Sequence, residues 1–114
     1  MTRRIAVIGA GGTIAMAGAH PYDWVDYGDS GLIRPVAEVL AGMDFGLPGI
    51  EPVAHGFRLL PSTGITPGDW LALAAEIEAV AARGAVAGIV VTHGTATLEE
   101  TAFFLHAVLA PRLP

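Results

Sequence analysis

Ile5-Ala6-Val7-Ile8 is an unbroken apolar run that stops at Gly9-Ala10-Gly11-Gly12, with Thr13 next in line. Such a strand has no polar face to give to water, so it must be covered on both sides, and the glycines let the chain turn out of the sheet at once. A parallel sheet between helices meets that demand, and the remaining segments supply it. Val53 to Leu60 reads as a second strand, weakened by Gly56 and stopped by Pro61-Ser62-Thr63-Gly64. Thr66-Pro67-Gly68-Asp69 has the form of a capping box with proline in the first turn. Trp70, Leu73, Ala74, Ile77, Val80 and Ala81 follow at helical spacing, and Gly84 ends the helix. Gly88 to Thr92 is the third strand. Thr97, three residues before Glu100, reads as the cap of a last helix whose inner face is Leu98, Ala102, Leu105, Val108 and Leu109.

Between the first and second strands, Met16 to Gly31 is rich in Gly, Pro, Asp and aromatic residues without either periodicity, which predicts a long loop of the functional kind. Pro35 to Gly42 predicts a short helix with Pro35 at its first position and Val36, Val39 and Leu40 inward. The alternation of strand and helix implies a Rossmann-like α/β fold, a parallel sheet with flanking helices in one domain over residues 1–114. Ligands of such sheets lie at the carboxyl ends of the strands. Those ends are Thr13, Ser62-Thr63 and Thr95-Ala96-Thr97, three hydroxyl-bearing turns expected on one edge.

Composition removes several chemistries. The net charge of −5 arises from 11 acids against 6 arginines with no lysine, so nucleic acid is not an expected partner and neither a P-loop nor a Schiff-base lysine can come from these residues. There is no cysteine, hence no disulfide, thiol nucleophile or Cys-ligated zinc. His20, His55, His93 and His106 share no metal-ligand spacing, and no metal is expected. The apolar residues before Gly9, about five in number, are too few for a signal-peptide core, and no stretch approaches the roughly 20 that span a bilayer. A cytoplasmic chain without a membrane partner is the expectation. A hydrophobic share of 53% is enough for a core and for an oligomer interface besides.

Gly9 and Gly11 match the first two glycines of a dinucleotide fingerprint, but Ile14 stands at the third, and no acid closes the second strand. A simple tight strand exit explains the same glycines. The functional alternative rests on Thr13, whose hydroxyl beside exposed backbone N–H groups suits a nucleophile with oxyanion donors at hand, and on Tyr27 as a partner for its proton. His93 and Thr95 are too close in sequence to aim at one atom, and His93 is expected to hydrogen-bond its own turn. Trp24 and Trp70 read as anchors, and Glu99-Glu100 as a complement to the helix dipole.

Gly11-Gly12-Thr13-Ile14-Ala15 and Gly88-Ile89-Val90-Val91-Thr92-His93-Gly94-Thr95-Ala96-Thr97-Leu98-Glu99-Glu100-Thr101-Ala102 together resemble the two signature motifs of the bacterial-type L-asparaginase/glutaminase family. Pro61-Ser62-Thr63, with Trp70 eight residues after Ser62, resembles that family's substrate-contacting turn. The resemblance implies hydrolysis of the side-chain amide of L-asparagine, to some extent of glutamine, without a cofactor. Thr13 would attack the amide carbon, with Gly12 beside it at the substrate, and Tyr27 would be its partner, with Tyr22 the alternative. Thr95 would belong to a second catalytic group that in the family also holds an aspartate and a lysine. Ser62 would bind the α-carboxylate, helped by Thr63 where the family often has glutamine.

Two departures stand out: Ala96 occupies the place of the family's ammonium-binding aspartate, and these residues include no lysine; Ala10, in place of a common threonine, is a smaller one. The family's lysine, the rest of its sheet and its carboxy-terminal domain would lie beyond Arg112-Leu113-Pro114, making these residues an incomplete amino-terminal domain. A neighbouring subunit closes the family's site, which implies a homo-oligomer. The rival expectations are a non-catalytic ligand-binding or interaction module, favoured by Ala96, and a nucleotide-binding module, opposed by Ile14.

Overall fold

The computed structural model describes residues 1–110 and 113–114. The chain runs β1 (Arg3–Gly11), β2 (Met16–Ala17), β3 (Leu32–Ile33), α1 (Val36–Ala41), β4 (Ile50–Leu60), α2 (Pro67–Ala82), β5 (Gly88–Thr92) and α3 (Leu98–Val108). Single 3-10 turns occupy Thr13–Ala15, Tyr27–Asp29 and Ser62–Gly64. The main sheet has the order β4-β1-β5, all parallel, with Ile8 of β1 opposite both His55 and Val91. The α/β architecture expected from the strand and helix order is the one observed.

β1 is the central strand and is covered on both faces. Ala6 and Ile8 point to one side, where they pack with Leu73, Ile77 and Val80 of α2, and Phe57, Ile89, Val91 and Leu105 close around them. Ile8 is fully buried, which contributes roughly 1.5–3 kcal/mol relative to an exposed side chain. Val7 faces the other side, where α1 buries Val36 and Val39. There a Cβ on Gly9 would lie 2.6 Å from Val36 Cβ, so α1 rests directly on the β1 backbone.

The segment limits follow local chemistry closely in α2. Thr66 Oγ1 accepts from Asp69 N at 3.3 Å and Asp69 Oδ2 accepts from Thr66 N at 2.9 Å, the reciprocal bonds of a capping box. β5 begins and ends as its composition predicts. β4 starts at Ile50, three residues before the expected Val53, and includes Pro52. That is tolerable because β4 is an edge strand, where a missing N–H leaves no partner unsatisfied.

Three expectations are corrected. The Met16–Gly31 loop is not wholly irregular, because β2 pairs antiparallel with β3 and forms a small ribbon at its base. Ser30 Oγ donates to Ala17 O at 2.6 Å and lies 2.8 Å from Tyr27 O, which pins the ribbon to the Tyr27 turn. The expected inner face of α3 meets the core at Leu105 and Leu109 only. Thr101 is 3% exposed and Leu105 meets the core, whereas Leu98 and Val108 are 44% and 51% exposed. Leu98 and Ala102 line an open groove with Val91 and Leu105, and Trp70 of α2 donates to Thr101 and stacks on Phe104. Finally, Thr97 occupies the cap position of α3 but its hydroxyl makes no cap bond, donating instead to Ser62 O at 2.8 Å. Among the described residues no helix is long and apolar enough to cross a membrane.

Candidate active site

Parallel pairing brings the carboxyl ends of β4, β1 and β5 to one edge, and there the three following turns touch. A Cβ on Gly12 would collide with Gly94 N and Cα, and a Cβ on Gly94 would sit 2.6 Å from both Cβ and Oγ of Ser62. Gly12 also has φ 82°, a left-handed conformation that glycine adopts without strain. Thr13 and Thr95 each directly follow one of these touching glycines, and both are exposed. Ser62 is half-buried at the contact, while Thr63 and Ala96 are exposed on their turns. Thr97 clasps the second turn to the third through Ser62 O.

The structure therefore gathers Gly12, Thr13, Ser62 and Thr95, with Thr63 and Ala96 at the margin. Tyr27 is separate. It is half-buried in its own turn, which packs against β2, and no hydrogen bond joins it to Thr13 among the described residues. The glycine turn also offers fewer free donors than its sequence suggests, because Gly12 N–H donates to Leu60 O at 3.1 Å and Ala15 N–H to Gly12 O at 2.9 Å.

Beneath the turns the protein is closely packed. The cavity between Ala10, Leu60, Trp70, His93 and Thr101 measures about 10 Å³, room for no more than a water. Thr13 and Thr95 stand on the exposed side, and a groove of about 160 Å³ opens beside His93, between Val91, Leu98, Thr101 and Leu105. A cavity of about 600 Å³ lies elsewhere, between Ile77, Ala81, Val86 and Leu109. It offers no hydroxyl or histidine, so its size does not make it the site. Among the described residues no group of three His, Asp or Glu side chains is placed to hold a metal ion.

His93 binds its own turn, as expected, with Nδ1 2.6 Å from Gly94 O. Its other nitrogen is 2.9 Å from Thr101 Oγ1, a partner that sequence spacing does not disclose. The one signal for Thr101 is a hydroxyl at the head of the apolar stretch Ala102-Phe103-Phe104-Leu105, four residues after Thr97. Asp69, at the start of α2, is held well below the ordinary carboxylate range, to about 2, first by hydrogen bonds from the Thr66 side chain and backbone and then by Arg58 at 2.7 Å. Its role is to fasten α2 to β4.

The chain is similar to a probable L-asparaginase of Deinococcus radiodurans, 40% identical over 97% of this chain, and to a glutaminase-asparaginase of Acinetobacter glutaminasificans, 35% identical over 92%. Of those relatives it spans 30% and 31% of the length. Its fold matches a probable cytoplasmic L-asparaginase from Campylobacter jejuni with a TM-score of 0.70 at 30% identity, covering 91% of this chain and 30% of that one. The thermostable L-asparaginase from Thermococcus kodakarensis matches at 0.68 and 30% identity, over 90% of this chain and 29% of that one. Residues 4–114 match the family description "Asparaginase, N-terminal", and on that match the chain belongs to the asparaginase family.

Proposed function

We propose that this chain carries the nucleophile-bearing part of an amidohydrolase that converts L-asparagine, and to some extent glutamine, to the corresponding acid and ammonia. The observation that supports it most is the mutual contact of Gly12, Ser62 and Gly94, which sets the Thr13 and Thr95 turns side by side on the open edge of the sheet. In this reading Thr13 Oγ1 adds to the side-chain amide carbon while the Tyr27 hydroxyl, after its turn moves toward Thr13, takes the threonine proton and passes its own to the leaving nitrogen. Ammonia leaves with a proton, and water then cleaves the threonyl ester to release the acid and restore the hydroxyl. Ser62 and Thr63 hold the α-carboxylate, and Thr95 serves the second catalytic group. No cofactor is needed. The reading extends to a cytoplasmic homo-oligomer acting on a small molecule, with no nucleic-acid or membrane partner.

A reactive asparagine analogue tests the assignment. Mass spectrometry is expected to place its adduct on Thr13, and Thr13→Val to abolish it. An adduct on Thr95 would refute the nucleophile.

Ala96 favours a second reading, a ligand-binding or interaction module without turnover, since a methyl group cannot pair with the substrate ammonium. Thermal shift separates the two from each other and from a nucleotide-binding module. Stabilisation by asparagine or aspartate without ammonia release marks the inactive module, and stabilisation by NAD alone marks the nucleotide site.

A further inference from the structure

Below the Thr95 turn, side chains from three elements form one hydrogen-bonded chain. Trp70 Nε1 of α2 is 2.8 Å from Thr101 Oγ1 of α3, and Thr101 Oγ1 is 2.9 Å from His93 Nε2. His93 Nδ1 in turn is 2.6 Å from Gly94 O. Phe104 stacks on the Trp70 indole with centroids 5.4 Å apart, which holds the donor in place. Donor chemistry orients the two outer links. An indole N–H only donates, so Thr101 Oγ1 accepts from it; a carbonyl only accepts, so His93 Nδ1 carries a proton and donates to Gly94. In the inner link we take the Thr101 hydroxyl as donor to His93 Nε2, which gives the Nδ1–H tautomer.

We infer that Trp70, Thr101 and His93 are positioning residues that hold the Gly94–Thr95 peptide in one orientation for the ligand. Only the identity of that ligand rests on the amidohydrolase reading. The Gly94 carbonyl and the Thr95 N–H are opposite ends of one planar trans peptide, so fixing the carbonyl on the imidazole turns the N–H to the other side. Gly94 is also the residue wedged against Gly12 and Ser62, so a rotation of this peptide would be felt in all three turns.

The test is the nitrogen spectrum of the His93 ring in labelled protein, with the backbone amide of Thr95 as a second probe. The expected pattern is a pyrrole-type Nδ1 and a pyridine-type Nε2. Thr101→Val removes the partner of Nε2 and should shift the Nε2 signal and the Thr95 amide, whereas Thr101→Ser should restore both. Titration with L-aspartate, followed at Thr95, should be roughly 3- to 30-fold weaker in Thr101→Val and near the parent value in Thr101→Ser. A pyridine-type Nδ1, two pyrrole-type nitrogens, or a valine variant with the parent spectrum overturns the inference. If the valine variant fails to fold, the parent and serine spectra still decide the tautomer. Should L-aspartate move no amide of the parent while the tautomer pattern holds, the amidohydrolase reading falls and the positioning chain stands.

Discussion

Replacing Gly94 with alanine isolates the contact on which the site is built. Gly94 does not have a positive φ, so the substitution brings no backbone strain and its effect is steric. The new Cβ would lie 2.6 Å from Ser62 Cβ and Oγ and 3.1 Å from Gly12 Cα. Ordinary carbon contacts begin at about 3.5 Å, so nearly an ångström must be found. Ser62 Oγ can rotate away, but its Cβ is fixed to the backbone, and Gly12 blocks retreat on the other side. Overpacking of this kind costs about 1–3 kcal/mol. At about 4 °C per kcal/mol for a domain of this size, Tm should fall by roughly 4 to 12 °C. The same substitution at Gly56 of β4 meets no atom within 4 Å and removes only the flexibility of glycine, so it should stabilise by about 0.5–1 kcal/mol. Urea unfolding of both variants, with unchanged m-values, measures the two effects. If Gly94→Ala proved as stable as the parent, or Gly56→Ala lost as much as Gly94→Ala, the close approach of the turns would be wrong.

Two further outcomes are expected. Because Asp69 is depressed to about 2 in the folded protein, its carboxylate contributes stability above its unfolded value and loses that contribution as pH falls from about 4 to about 2. Asp69→Asn should flatten the pH dependence of the urea midpoint in that window, and an unaltered slope would count against the Thr66–Asp69–Arg58 linkage. Ala96→Asp should tighten asparagine binding by a charge-assisted pair worth on the order of 1.5–3 kcal/mol, about 10- to 150-fold, while leaving succinamic acid, which lacks the α-amine, almost unchanged. Calorimetric titration showing equal gains for both ligands would mean that position 96 does not face the ammonium.

What the sequence discloses is what short-range chemistry decides. The start of α2 is legible because Thr66, Pro67 and Asp69 complete its cap within four consecutive residues. β5 is legible because its apolar run is bounded by Gly88 and by the His93-Gly94 turn. The ribbon of β2 and β3 is not, since strands of two residues have no measurable period and their pairing joins positions 16 and 33. α3 shows the other limit. Leu105 and Leu109 meet the core as helical spacing predicts, while the burial of Thr101, bonded to Trp70 31 residues away, has no apolar signal in the sequence.

The candidate site divides along the same line. That Thr13, Ser62 and Thr95 should share an edge follows from strand order alone, because parallel strands must all end on the same side. Their closeness does not follow from it. Gly12 and Gly94 look like ordinary turn glycines until Ser62, 32 positions before Gly94, is found where a side chain would otherwise be. Thr97 likewise reads as a helix cap because its nearest backbone N–H groups are local, and only the fold offers it the better-placed carbonyl of Ser62. Tyr27 lies at the opposite extreme, since neither its spacing from Thr13 nor its observed turn brings the two hydroxyls into a bond. The Thr95 turn is thus specified twice: by the absence of a side chain at Gly94, which lets it approach, and by His93, Thr101 and Trp70, which set the direction it faces. A substitution that spared both threonines yet disturbed either device would leave the hydroxyls present and the site disarranged.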